Sequence, residues 1–422
     1  MKLANFLGGF DMNFGTILHS DMNAFYASVE MMLNPTLQGK AIAVCGATEE
    51  RHGIVLAKSE LAKKAGVTTG MVNWEAKQKC PELILVPPQY DQYLKYSALA
   101  RNIYERFSDL VEPYGMDECW IGLPPQIPFE DGSQIAEKIR QATKTELGLT
   151  VSIGVSFSKI FAKLGSDMKK PDAVTIITRD NYKEKIWPLP ASDLLYVGRA
   201  TTNKLASRGI HTIGDIATAD PEYLKRLLGV NGYKLWQYAS GLDDTPVMHK
   251  HYISPIKSVG HGITCVADLN NEEEVWKVIL EMSQDVGQKL RLYQLQAHGV
   301  QLSIRGKDLR YYQVQGQLDE ATQNAMAIAI KADALFKEHY QWYTPVRAIT
   351  VRAIKLTPIS QPEQLSLFSD SCKSERTKAL DQCLDDLQRR FGKKSIYPAA
   401  LMGDLKIPNR THDIIMPGTM GR

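Results

Sequence analysis

Residues 16–33 read TILHSDMNAFYASVEMML, and this stretch decides the architecture. A short apolar run is stopped by an acid at Asp21, and Phe25, Val29 and Leu33 then fall at helical spacing, so a strand passes through a tight turn into a helix. Working outward, residues 41–45 predict a second apolar strand, and residues 53–57 lead into a basic helix over 58–65 that stops at Gly66. Beyond Pro87 and Pro88, residues 96–110 predict an amphipathic helix, 117–123 part of a hairpin, 135–147 another helix and 150–155 a strand. The order is a split β-α-β pattern with inserts, which folds as a mixed sheet covered by helices.

After Asp180 the chain turns to short helices broken by glycines, over 197–210 and 228–236, each too short to bury a core separately. Together they predict a small all-α domain. Residues 241–256, with Pro246 and Pro255 among polar neighbours, predict a linker. From Lys257 to Pro358 the order is strand, helix, strand, strand, helix, strand, a second small α/β domain. Residues 361–373 are polar around one apolar island, and 375–391 regain helical periodicity.

Composition narrows the function classes. At 422 residues, 44% hydrophobic and 23% charged, the chain is long enough for several packed domains and is not a disordered one. Lys plus Arg at 50 against Asp plus Glu at 47 gives +3, so any nucleic-acid affinity must come from local patches. Six cysteines without a CxxC pair fit neither a zinc ribbon nor a disulfide scaffold and suit a reducing compartment. No stretch approaches the roughly 18 apolar residues of a membrane helix, and MKLANFLGGF lacks the apolar core of a secretory signal. The expectation is a cytoplasmic protein, without a membrane partner.

The chemistry lies in carboxylates at predicted strand ends: Asp21, and the adjacent pair Asp117 and Glu118 in YGMDECW. Acids that end apolar strands are costly to bury unless something cationic meets them. Adjacent strand residues point to opposite faces, so Asp117 and Glu118 can share a cation only where the strand twists or ends. On spacing alone Tyr26 and Phe25 are core aromatics, and Lys63 and Lys170 are solvated surface charges.

HSDMNAFYASVE (19–30), YGMDECW (114–120) and VSIGVSFSKIFAKLGSDMKKP (151–171), in this order, resemble the Y-family DNA polymerases, the translesion group that includes polymerase IV and UmuC. The resemblance runs from about Thr16 to Pro358. It implies an α/β (α+β) multidomain right-hand polymerase. A ferredoxin-like palm would take 1–24 and 89–177, and small fingers 25–88. An all-α helix-hairpin-helix thumb would take 178–244, a linker 245–256, an α/β little finger 257–358, and a C-terminal tail 359–422. The implied activity is template-directed addition of dNTPs to a primer 3′ end by two-metal-ion transfer, at low fidelity and without proofreading.

The same resemblance makes Asp21, Asp117 and Glu118 the catalytic and metal-binding carboxylates, with the main-chain carbonyl of Met22, for two Mg²⁺ ions. It makes Tyr26 a steric gate against ribonucleotides, with Phe25 beside it, and turns Lys170 and Lys63 toward the triphosphate. In the fingers the sequence departs from polymerase IV. Glu60 stands where that branch has a tyrosine, Lys63 replaces an arginine, and before the acidic pair Gly115 replaces a serine, features closer to UmuC.

Gly198, Gly209, Gly229 and Gly232 match helix-hairpin-helix turns whose backbone N–H groups hold DNA phosphates. Between Lys250 and Lys355 there are 13 Lys or Arg against 11 acids, yet Arg305, Lys307, Arg347 and Arg352 lie on predicted strands, placing positive charge on a sheet that tracks a duplex. Gln364, Leu365, Leu367 and Phe368, in QLSLF, resemble the pentapeptide that grips the bacterial sliding clamp. A monomer acting on primer-template DNA is implied. Another two-metal transferase such as a nucleotide cyclase, and a non-catalytic repair adaptor that binds DNA and clamp, are the alternatives. The glycine-hinged helices speak against the first and the intact acids against the second.

Overall fold

The computed structural model describes residues 15–48, 51, 53–361, 371–393 and 395–408. These divide into two compact units, residues 15–45 with 55–253 and residues 46–54 with 254–408.

In the first unit, β1 (Ile17–Met22) is buried at every position and runs into α1 (Phe25–Leu33). A small insert follows: β2 (Ile42–Cys45), β3 (Val55–Lys58), α2 (Glu60–Lys64), α3 (Asn73–Lys79) and β4 (Ile84–Val86), with β2 central in its own three-stranded sheet. Next come α4 (Tyr90–Tyr104), β5 (Leu110–Pro113), β6 (Glu118–Gly122), α5 (Phe129–Leu147), β7 (Val151–Ser156), α6 (Lys159–Met168) and β8 (Val174–Ile176). The main sheet has the order β5-β6-β1-β7-β8, with β1 antiparallel to both neighbours and β7 parallel to β8. β1 is central and buried on both faces although half of it is polar: Ile17, Leu18 and Met22 pack in the core, while His19 and Ser20 are met by Ser166 and Tyr104. The helix expected over 96–110 ends at Tyr104. Leu110 opens the edge strand β5 instead, and its pairing with β6 overrides the helical periodicity.

α6 lies directly on β7 and β1. Gly154 makes this possible, because a Cβ there would stand 1.9 Å from the carbonyl oxygen of Ala162. An all-α layer follows, α7 (Tyr182–Ile186), α8 (Arg199–Ala206), α9 (Ile213–Thr218), α10 (Pro221–Leu228) and α11 (Val230–Ala239), around Leu205, Ile213, Ile216, Leu224 and Leu235.

The polar stretch read as a linker does not run free. Val247 is buried with Ile17, Trp120 and Ala162, and the Met248 N–H donates to Glu112 at 2.8 Å. Glu112 also accepts two 2.7 Å bonds from the ammonium of Lys159, which stands 4.3 Å from the centre of the Trp120 ring. A part-buried charge pair is the anchor that composition could not reveal.

The second unit is β9 (Ser258–Leu269), α12 (Glu272–Leu292), β10 (Leu295–Gly306), β11 (Tyr311–Thr322), α13 (Ala325–His339) and β12 (Val346–Pro358), the order expected. The sheet order is β11-β10-β12-β9, and α12 and α13 cover one face. α14 (Ser371–Phe391) packs back on this unit. Arg291 holds Asp385 through two bonds of 2.5 and 2.8 Å, and Asn324 donates to Asp381 at 2.9 Å. Leu401 joins the core and the Val266 N–H donates to the Lys406 carbonyl at 2.8 Å, so residues 376–393 and 395–408 form part of this unit.

The Arg291 side chain is only 13% exposed, so losing its bidentate partner leaves a poorly hydrated charge. Asp385→Ala is expected to lower stability by about 1–3 kcal/mol, read as an earlier urea midpoint. An unchanged midpoint would mean that α14 is not held by this pair.

Candidate functional site

The site begins with register. In the antiparallel β1–β6 pair Asp21 sits opposite Glu118, and the Met22 N–H donates to the Asp117 carbonyl at 2.9 Å, so Asp21 and the adjacent pair Asp117 and Glu118, far from it in sequence, meet at one end of the sheet. Asp117 lies just before β6, in a bend rather than on the strand. The opposite-face objection to a shared cation therefore does not apply to it.

These acids repel one another in a poorly hydrated setting. Burial raises the Asp117 carboxyl above its usual range, and nearby Asp21 adds to the rise. Burial pushes Glu118 up to about 7, Lys163 opposing and Asp21 assisting the shift. Lysine answers that charge. The Lys163 ammonium lies 3.1 Å from Asp21 Oδ2 and 3.0 Å from Glu118 Oε1, while Lys170 lies 2.9 Å from Asp21 Oδ2 and 2.9 Å from Asp167. Burial pulls both lysines down, but Asp21 and its neighbours outweigh it and leave both raised and charged. His19, fully buried on β1, is held well below its ordinary pKa by burial and by the lysines. Ser166 gives its hydrogen to the Lys163 carbonyl at 2.8 Å, so the 2.9 Å contact from His19 Nδ1 makes the ring nitrogen the donor.

An oxygen-only set of buried, mutually repelling carboxylates suits hard divalent cations. Among the described residues no group of three or more His, Cys, Asp or Glu side chains is drawn into a closed ligand set; the two ammonium groups stand among the carboxylates instead.

Lys163 was missed in the sequence. The signal was there: Lys159, Lys163, Asp167 and Lys170 form a charged stripe at spacings of four, four and three, bordered by the buried Ile160, Phe161 and Leu164. A charged stripe on a largely buried helix points at something other than water.

The remaining candidates divide. Tyr26 is half-buried, lies in the first turn of α1 five residues after Asp21, and stacks on Tyr93 with ring centres 4.1 Å apart. Phe25, 3% exposed, packs in the core with Leu18, Tyr93 and Ile103, as its helical spacing predicts. Lys63 is exposed on α2 beside Glu60 at 3.9 Å, away from any buried acid.

Gly198 and Gly229 begin α8 and α11, and Gly209 turns the chain after α8. Gly232 is a correction, because it is buried and a Cβ there would meet the Leu224 carbonyl at 2.0 Å; it serves close helix packing, not a phosphate.

In the second unit the uncovered sheet face carries Gln301, Ser303 and Arg305 of β10, Arg352 and Thr350 of β12, and Tyr311, Gln313 and Gln315 of β11, set side by side by the register. Arg305 lies against Tyr311 at 5.0 Å. Two of the expected strand cations leave that row. Lys307 lies in the turn after β10, and Arg347 sits where the register slips between Val346 and Ala348. Gln364, Leu365, Leu367 and Phe368 lie outside the described residues. No helix among the described residues is long and apolar enough to cross a membrane.

The model of the impB/mucB/samB family matches residues 20–167, and that of its C-terminal domain matches residues 256–367. A DNA polymerase IV of Acetivibrio thermocellus is 47% identical over 389 residues, 92% of this chain and 98% of that protein. DNA polymerase IV 1 of Bacillus subtilis is 36% identical over 387 residues, 92% of this chain and 93% of that one. These relatives are polymerase IV, despite the UmuC-like departures in the fingers. Among solved structures, a Y-family DNA polymerase chimera superposes with a TM-score of 0.72 at 22% identity, over 81% of this chain and 99% of its own, and DinB from Sulfolobus solfataricus with 0.53 at 23%, over 80% and 98%. Matched along nearly its whole length by sequence and by fold, the chain belongs to the impB/mucB/samB family, the Y-family DNA polymerases, with DNA polymerase IV as its relatives.

Proposed function

We propose that this chain is a translesion DNA polymerase that adds dNTPs to a primer 3′ end on a DNA template, with Asp21, Asp117, Glu118 and the Met22 carbonyl as its metal ligands. The observation that carries the reading is the convergence of Asp21 and Glu118 across one strand pair, with Asp117 hydrogen-bonded at its edge and two lysines in attendance. In this reading the palm is the five-stranded sheet, the fingers the insert from β2 to β4, the thumb α8 to α11, and the little finger the second unit.

Dependence on divalent metal follows from the family; the finer proposal is two Mg²⁺ ions on these carboxylates. When bound, such ions supply Lewis acidity to the attacking 3′-hydroxyl and charge neutralisation to the leaving pyrophosphate. The chain's own residues do the rest. Lys170 reaches Asp21 from the end of α6 and is long enough to turn to a phosphate oxygen once that carboxylate has another cation. Tyr26 offers a flat ring against a ribose 2′-hydroxyl. Lys63, exposed on α2, contributes charge at longer range.

DNA is held by unspecific contacts. The helix starts at Gly198 and Gly229 present backbone N–H groups to phosphates, and Arg305 and Arg352 on the open sheet face track the duplex with glutamines between them. QLSLF at 364–368 is proposed to grip a sliding clamp as an extended segment with two or three apolar anchors. Action as a monomer in the cytoplasm completes the reading, where the buried Cys45, Cys80, Cys119 and Cys265 would stay free thiols. No observation favours the adaptor reading.

A primer-extension assay tests this directly. Asp117→Ala should cut extension by about a thousand-fold or more with primer-template affinity near wild type, because the loss falls on charge stabilisation in the transition state. Full extension by that variant rejects the site.

Tyr26→Ala should raise ribonucleotide insertion relative to deoxyribonucleotide insertion by about ten-fold or more. Unchanged sugar selectivity places the gate elsewhere.

Deleting 364–368 should abolish the stimulation that a bacterial sliding clamp gives to extension. Loss of unstimulated extension would instead mark the segment as structural.

A further inference from the structure

We infer that Glu30, acting through Tyr93, is a positioning residue for sugar discrimination: together they fix the plane of the Tyr26 ring. The inference rests on Tyr26 being the ring that meets the sugar, and its test separates the two.

Tyr26 is poorly held by its own polar end. Its hydroxyl has the thioether of Met116 at 3.9 Å, a weak acceptor. Its face is held well. Tyr93 lies flat on it, centres 4.1 Å apart and planes 9° from parallel, while Tyr90 meets it edge-on at 6.1 Å and Phe25 tilts toward it at 5.6 Å. The stacked partner covers the ring's whole face, so a tilt of Tyr26 is opposed most directly by Tyr93.

Tyr93 is itself pinned. Its ring is fully buried, and its hydroxyl donates to Glu30 Oε1 at 2.5 Å. The other carboxylate oxygen, Glu30 Oε2, accepts from Gln89 Nε2 at 2.7 Å. Burial, and then the bond to Glu30, raise the Tyr93 pKa, so the hydroxyl keeps its proton and goes on donating. Glu30 and Tyr26 are four residues apart on α1 and share one helix face. Tyr93, from α4, therefore touches α1 at two points, ring on ring and hydroxyl on carboxylate, and can neither slide nor rotate without breaking one of them.

The cost of the arrangement argues that it does more than pack. Glu30 is only 2% exposed, and a carboxylate so buried is expensive even when both oxygens are satisfied. A leucine or methionine would fill that space without the desolvation, and a tyrosine needing only a partner could use a backbone carbonyl. What the acid adds is a strong, directional, short bond at a set distance from the Tyr26 backbone. Steric exclusion of a 2′-hydroxyl depends steeply on distance, so a ring free to tilt admits more ribose.

The test is single-nucleotide insertion kinetics with the full-length chain, comparing dNTP with rNTP opposite one template base. Tyr93→Phe keeps the ring and removes the donor; Glu30→Met removes the acceptor at similar volume; Glu30→Gln keeps an acceptor. Each of the first two is expected to lower the dNTP:rNTP ratio of kcat/KM by roughly 3- to 10-fold, mostly through a lower KM for rNTP, and Glu30→Gln to restore most of it. The double variant should be no worse than either single one, and in a Tyr26→Ala background neither should move the ratio further. If Tyr26→Ala alters selectivity while Tyr93→Phe and Glu30→Met leave it at the wild-type value, this inference is overturned. If Tyr26→Ala itself changes nothing, the gate reading fails instead. Should Glu30→Met prove too unstable to assay, Tyr93→Phe decides the matter alone.

Discussion

Everything in the first unit is arranged around one electrostatic constraint: carboxylates at the buried end of a sheet, answered by the ammonium of Lys163 between Asp21 and Glu118. A carboxylate drawn from water at this depth is costly, and several together are costlier still, so the fold must bring opposite charge to the same place. α6 does so because Gly154 lets it lie against the sheet, which puts Lys163 and Lys170 over the ends of β1 and β6. In the proposed reading divalent cations would be stronger partners for those carboxylates than ammonium is, and the lysines, released from them, would then be free to face phosphate. The same two lysines thus answer the acids in the isolated chain and remain at hand as cations for an anionic substrate.

How much of this was legible depends on how local the signal is. The strand-turn-helix at 17–33 is written in consecutive residues, and so is the alternation of strands and helices from 257 to 358, so both follow from periodicity. Asp21, Asp117 and Glu118 could be picked out as acids ending apolar runs. What the sequence could not show is register. Only the pairing of β1 with β6 puts Asp21 opposite Glu118, and only the bend at 114–117 frees Asp117 from the strand's alternation. The polar stretch around Pro246 illustrates the opposite failure. Composition reads it as linker, yet one part-buried pair, Glu112 with Lys159, is enough to tie its backbone down, and ion pairs between residues 47 apart leave no trace in local composition.

The second unit shows why a charge count was a poor guide. Thirteen bases against eleven acids look nearly neutral, but strand pairing sorts them. Arg305 and Arg352 stand among Gln301, Gln313, Gln315 and Thr350 on the open face, while Glu272, Glu273 and Glu274 collect at the start of α12, where an N-terminal dipole favours them. Gly260 and Gly262 of β9, opposite Arg352 and Thr350, leave those side chains room. A surface of long hydrogen-bonding side chains with dispersed positive charge suits a backbone that must pass in many sequences, since it neutralises phosphate without reading bases.

The turn between β1 and α1 joins the two halves of the site, and its geometry explains why so few residues do so much. Ala24 adopts a left-handed conformation, φ 46° and ψ 43°, unfavourable for a residue with a Cβ by about 1–2 kcal/mol. Such a conformation persists only where its surroundings over-determine it. Here Asn23 does so: buried, it donates its backbone N–H to the Thr150 carbonyl at 2.9 Å, accepts from Ser152 at 2.9 Å on its side chain and from Ser28 at 2.7 Å on its carbonyl. Three elements, β7, α1 and the turn itself, are thereby fixed on one residue. A looser turn of two or three more residues would let α1 start without strain, but it would carry Tyr26, the proposed gate, away from Asp21. The strain at Ala24 is the structural consequence of keeping the two within five residues of each other.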